Sequence, residues 1–286
     1  MKTVGFLFFV SLLLFLSACS DPHKGAQEHL DHARLLYIEK DFEQSKAKID
    51  SIQILYPKSY EQIKGGIALL DSVRMGENIS AIAKYDSLIT ALQPSIDSLK
   101  SFFRYERDKQ YQEEGQGSYI PKEMYGGQAI TTTALRSGVS ENGALYIESV
   151  FVGSQLHDRL RITAKEGDSA ETLPEVEDGF NFRFANLGQQ YEVIRFVGKK
   201  ENGVGAFIFT NQDKSLTVTL SGGGVNSYIL TTDTKKNIAR SYMLSMMMHQ
   251  QDSLKTEREK AEYKIHYLKE QRVKSDTIIT SFEDVA

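Results

Sequence analysis

The chain reads as an α+β protein: an N-terminal helical hairpin, then long coiled-coil-like helices bracketing an antiparallel β sandwich or barrel. Three observations predict this. Residues 26–112 space their apolar side chains at steps of three and four. Residues 113–232 switch to a period of two, with turn signals between the runs. Residues 233–275 return to a helical pattern and contain neither proline nor glycine.

Within 26–112, Ala33, Leu36 and Tyr37 are followed by Lys40-Asp41-Phe42, then Ser45, Ile49, Ile52 and Pro57. Small and apolar residues at these offsets let two antiparallel helices approach closely, and the proline ends the second. This stretch, roughly 26–59, resembles one tetratricopeptide repeat. The match lies in the Asp-Phe after the inter-helix turn and in the closing proline. Ser45 stands where alanine is usual, and Ala33 where glycine is common. The resemblance implies a helical hairpin with a groove for peptide segments, faced by Leu36, Tyr37 and Phe42. A third helix from about Tyr60 to Met75 completes it. Gly76 and Glu77-Asn78 then predict a stop and a new N-cap.

Beyond that point Ile82, Tyr85, Ile89, Leu92, Ile96, Leu99 and Phe103 follow each other at steps of three and four. This is the a/d seam of a coiled coil, and Ile82, Ile89, Ile96 and Phe103 become candidate contact residues for a partner or a second copy. Pro94 falls on the outward side of the frame and predicts one bent helix.

The period-two region is carried by Leu160-Ile162-Ala164, Phe180-Phe182-Phe184 and Leu216-Val218-Leu220, each alternating with other side chains. Such alternation fits strands with one buried face. Turn signals at Glu141-Asn142-Gly143, Glu201-Asn202-Gly203, Asn211-Gln212-Asp213 and Gly222-Gly223-Gly224 separate about eight expected strands. In the closing helix, Leu244, Met247, Leu254, Ala261, Ile265 and Leu268 fit a heptad frame interrupted by Gln251 and Arg258. At 1.5 Å per residue it runs roughly 60 Å, long enough to pair with the first seam as a stalk. Residues 276–286 read as a flexible tail.

The N-terminus carries an address. Lys2 precedes an apolar run from Val4 to Leu16, too short to span a bilayer comfortably, and then Leu16-Ser17-Ala18-Cys19. These four residues resemble the lipobox of bacterial lipoproteins. The resemblance implies a signal peptide over 1–18, acyl chains on Cys19 as the membrane anchor, and a tether over 19–25. Ser20 directly after the cysteine, with Asp21 one further on, implies outer-membrane sorting, and the sparse acidity there a periplasmic face. Cys19 is the only cysteine, so no disulfide is expected. Losing Lys2 leaves 33 basic against 38 acidic residues, net −5, without a basic block. That argues against nucleic acid and against electrostatic lipid binding.

Candidate chemistry is sparse. Met243, Met246, Met247, Met248 and His249 could offer soft ligands to Cu(I), but adjacent positions on a helix point apart, which favours an adaptable apolar patch. His29 and His32 lie one turn apart without a third ligand. His157-Asp158 reads as a turn region with nothing to complete a nucleophilic set. Gly222-Gly223-Gly224 lacks the Lys-Ser/Thr of a phosphate loop and reads as a hairpin tip. No cofactor and no metal site are expected, and catalysis is unsupported. The sequence favours a lipid-anchored envelope protein that acts by protein contact. The competing reading is a ligand-binding lipoprotein whose β domain holds a glycan or small apolar molecule, without tryptophan but with 14 tyrosines.

Overall fold

The computed structural model describes residues 22–107, 117–124, 131–154, 156–176, 179–186 and 188–283, with side chains described within 23–274. The protein is a mixture of helix and two antiparallel sheets, so its class is α+β. It divides into two compact units, one from the residues up to Ser87 and from Thr256 onward, the other spanning Leu88–Lys255. No described helix is long and apolar enough to cross a membrane.

The first unit is helical. It contains α1 (Pro22–Ile38), α2 (Phe42–Leu55), the first part of α3 (Tyr60–Lys100) and the last part of α5 (Thr232–Glu283). The α1–α2 turn is closed by Lys40 in a left-handed conformation and by Asp41, whose carboxylate accepts the Gln44 N–H at 3.1 Å. Such a cap satisfies a donor that the first helical turn leaves open. Ala33 and Ser45 are fully buried where α1 and α2 meet. The Ser45 hydroxyl donates to the Ala33 carbonyl at 2.8 Å, which accounts for a serine at a close-approach position.

Gly76 does not end a helix: α3 runs unbroken from Tyr60 to Lys100, through both Gly76 and Pro94. A Cβ at Gly76 would stand 3.0 Å from the Tyr37 ring and 3.1 Å from the Phe42 ring. The glycine serves close packing rather than termination. Gly65 and Gly66 do the same against Leu30 and Ile49. α5 continues through 276–283, the stretch that the sequence assigns to a tail.

The described residues of the second unit form ten strands: β1 (Phe103–Glu106), β2 (Ser118–Pro121), β3 (Ala134–Ser140), β4 (Leu145–Val152), β5 (His157–Ala164), β6 (Ser169–Glu171), β7 (Asn181–Asn186), β8 (Gln189–Val197), β9 (Leu216–Gly222) and β10 (Val225–Ile229). They form a six-stranded sheet, β1-β2-β3-β4-β8-β7, and a four-stranded sheet, β10-β9-β5-β6. Both sheets are open, so the barrel alternative is excluded. Leu135, Ile147, Ile194 and Phe196 of the larger sheet and Leu160, Ile162, Leu216 and Leu220 of the smaller share one buried core. The alternation in β5 and β9 therefore marks the buried face, as expected.

Three expectations fail here. Phe103 is not the last residue of a helical seam. It opens β1, buried beside Ile96, Val139 and Leu244. Glu201-Asn202-Gly203 does not join two strands but starts α4 (Val204–Thr210), with Gly203 at φ 81° as its N-cap. The Glu201 carboxylate accepts the N–H groups of Gly203 and Gly205, an anion at a helix N-terminus. Burial of Val204 and Ile208 in the sheet core overrides the weak helix propensity of Val-Gly-Ala-Phe-Ile-Phe-Thr. Third, β7 forms, but Phe182 and Phe184 lie 51% and 44% exposed. β7 is an edge strand, and its other face carries Arg183 toward a buried carboxylate.

Candidate functional site

Polar side chains cluster in a cleft of the helical unit and at a buried place in the β unit. In the helical unit a cleft of about 670 Å³ is lined from α2 by Lys46, from α3 by Arg74, Glu77, Asn78, Ala81 and Tyr85, and from α5 by Glu257, Lys260, Ala261, Lys264, Tyr267 and Leu268. Four cations face two carboxylates across a floor that includes buried Ala261. Lys46 bridges Glu43 at 2.9 Å and Glu77 at 3.0 Å. The Glu43 hydrogen bond and then Glu77 hold its ammonium above the ordinary lysine value, against the opposing effect of burial. Lys260 is raised likewise by its 2.7 Å contact with Glu257. Near the cleft, Arg258 of α5 bonds Asp86 of α3 at 2.5 Å. The volume lies in the range of sites that hold a small ligand or a short peptide segment. An amphipathic lining of tyrosine, alanine and lysine suits a segment with both apolar and acidic side chains.

The second place is inside the β unit. His157, at the start of β5, points its Nδ1 at Glu192 Oε2 on β8, 2.6 Å away, and its Nε2 at Ser149 Oγ on β4, 2.8 Å away. The same Glu192 Oε2 accepts the His157 backbone N–H at 2.7 Å, and Glu192 Oε1 accepts Arg183 Nε–H at 2.7 Å. With its carboxylate accepting on both oxygens, Glu192 holds a ring proton on Nδ1, and Nε2 meets the Ser149 hydroxyl. Burial works to raise the Glu192 carboxyl, but the bonds from the His157 ring and backbone and from Arg183 outweigh it. The carboxyl sits below its ordinary value.

Serine, histidine and carboxylate at these distances have the connectivity of a nucleophilic triad. Access decides against that use. Ser149 is fully buried, and His157 and Glu192 are 4% and 2% exposed. The hollow against His157, lined also by Phe151, Leu156 and Leu220, holds about 10 Å³. That is the space of about one water, far short of an acyl group. What the arrangement does is join the sheets: Ser149 and Glu192 belong to the six-stranded sheet and His157 to the four-stranded one.

The sequence could not show this set. Its members lie 8 and 35 residues apart along the chain, and only the sheet order brings them together. The one signal was His157 beside Asp158, and Asp158 instead pairs with Arg159 at 2.7 Å. Cys19 and the lipobox lie outside the described residues. Leu36, Tyr37 and Phe42 are half-buried, and Tyr37 and Phe42 pack against the core of Ala33, Ile49 and Val73. Ile82 and Ile89 are half-buried on α3, whereas Ile96 and Phe103 belong to a buried core. Met247 and Met248 pack against that core while Met246 is 54% exposed, so the methionines diverge. His32 is exposed, and His29 stacks edge-on to Tyr56 at 5.6 Å. Gly222-Gly223-Gly224 forms the β9–β10 hairpin tip, as expected. Among the described residues no group of three or more His, Cys, Asp or Glu could hold a metal ion.

These features define an α+β protein with a basic helical cleft and a polar bridge between two sheets. No family model matches the chain, and no curated protein matches it.

Proposed function

We propose that this chain is an envelope lipoprotein, held to the outer membrane through acyl chains on Cys19, that works in the periplasm by protein contact and not by catalysis. The observation that carries the reading is the cleft of the helical unit, an open concavity with cations and tyrosines that converge on no reactive group. Where catalytic side chains do converge, at Ser149, His157 and Glu192, they are sealed. The repeat-like hairpin of α1 and α2 forms part of the scaffold of that cleft. Within each unit the long helices α3 and α5 pair in the manner of a coiled coil. Contacts within each unit support this: Asp86 with Arg258 in the helical unit, and Gln93 with Gln251 at 2.7 Å in the β unit.

Photocrosslinking in intact envelopes tests the reading. A photoreactive residue at Tyr267 in the cleft is compared with one at Ile38, which is 74% exposed on α1. A discrete adduct from Tyr267 that disappears with Lys264→Glu, and is missing from the Ile38 control, supports it. Equal adducts at both positions, or none at Tyr267, refute it.

A further inference from the structure

β7 is the outer strand of the six-stranded sheet, and no described strand pairs beyond it. Its ladder to β8 runs antiparallel through Phe182↔Val193, Arg183↔Glu192 and Phe184↔Tyr191. Arg195 donates its N–H to the Phe180 carbonyl, while Gln190 accepts from Gly153 on the β4 side. Residues of β8 thus alternate between their two neighbours. In this phase Phe182 and Phe184 direct their backbone groups at β8, and those of Asn181, Arg183 and Ala185 face outward.

That edge is furnished on both faces. Phe182 and Phe184 are exposed on one, with Tyr191 stacked on Phe184 at 5.0 Å between ring centres. On the other, Arg183 is 52% exposed and donates its Nε–H to Glu192. Asn181 Oδ1 is buried without a hydrogen-bond partner. A hollow of about 240 Å³, lined by Leu156, Arg183, Phe184 and Tyr191, opens beside the strand. The edge has no proline, and its one charged side chain, Arg183, is tied to Glu192.

We infer that β7 is a docking edge for an extended segment of another protein with an acidic residue between two apolar ones. The segment adds as a further strand. Its backbone pairs with Asn181, Arg183 and Ala185, its apolar side chains lie beside Phe182 and Phe184, and its carboxylate meets the Arg183 guanidinium. Affinity then comes from main-chain bonds and selectivity from alternate side chains. A second copy of this chain fits poorly, because two β7 strands paired antiparallel about their centres set Arg183 against Arg183. The inference is independent of the lipid anchor and of the helical cleft.

The test titrates full-length protein into a labelled, capped heptapeptide, Thr-Ser-Val-Glu-Val-Ser-Thr, followed by fluorescence anisotropy. Saturable binding is expected, weakened about tenfold when the peptide glutamate is replaced by lysine. Ala185→Pro removes an outward N–H without touching the β7–β8 ladder. It should weaken binding about tenfold while the circular dichroism stays unchanged. Should that variant misfold, N-methylation of alternate peptide amides gives the same comparison on wild-type protein: one set of positions abolishes binding and the other leaves it. No saturable binding, or equal binding of the glutamate and lysine peptides, overturns the inference. So does a concentration-dependent dimer that Ala185→Pro dissociates, which would make a second copy the occupant.

Discussion

His157 and Glu192 meet twice. One carboxylate oxygen accepts both the ring Nδ1–H at 2.6 Å and the backbone N–H at 2.7 Å of the same histidine. The ring is thereby held in one orientation between two sheets. Removing one member leaves the others buried and unpaired, which costs more than the net contribution of the intact set. Glu192→Gln should therefore lower the unfolding free energy in urea by about 1–3 kcal/mol, the scale of buried hydrogen-bonding groups left unsatisfied. A change within experimental error would show that the bridge is dispensable.

The same carboxyl predicts a pH dependence. Its folded-state value lies below the ordinary one, so the unfolded chain binds its proton first as the pH falls. The stability it contributes is fully present above the ordinary carboxyl value, about 4.3, and is lost below it. Wild type minus Glu192→Gln, measured by denaturation at each pH, should shrink between about pH 5 and pH 3. A difference that grows on acidification contradicts the direction assigned to Glu192.

Ser149 should be chemically silent. A fluorophosphonate probe needs a serine that it can reach, and Ser149 is fully buried beside a hollow of about 10 Å³. The native chain is expected to show no labelling that Ser149→Ala removes. Labelling lost in that variant would reopen an enzymatic reading of the Ser149–His157–Glu192 set.

Gly76 offers a packing test in the helical unit. Ala at this site would gain helix propensity, but a branched side chain has no room against Tyr37 and Phe42. Gly76→Val should cost about 1–3 kcal/mol by overpacking, read from the thermal midpoint of the helical signal. Unchanged stability would mean that the two rings move aside without loss.

The anchor is tested through Cys19. Alkynyl palmitate should label the wild-type chain in bacteria, and Cys19→Ala should be unlabelled and released from the membrane fraction. Unlabelled wild type ends the lipoprotein reading whatever the rest of the chain does.

Much of the fold was legible because helix and strand periods are local. Leu160-Ile162-Ala164 and Leu216-Val218-Leu220 read as one-face-buried strands and are buried. Asp41 caps α2, whose last residue is Leu55, two before Pro57. The failures share a different cause. Phe180-Phe182-Phe184 reads as the buried face of a strand, yet β7 lies at an edge, and a strand cannot state from its own pattern which neighbours will cover it. Val204–Thr210 has the composition of a strand, and the core it meets makes it a helix.

By itself, the sequence determined that helical stretches flank a β region, that β5 and β9 are strands with one buried face, where the β9–β10 hairpin turns, and that the class is α+β. These follow from side-chain period and backbone restriction within a few residues. Only the tertiary structure decided that Gly76 is a contact rather than a stop, that Phe103 belongs to a strand, and that Ser149, His157, Glu192 and Arg183 form one network. Each depends on which elements become neighbours, and that is set by burying apolar surface across the whole unit.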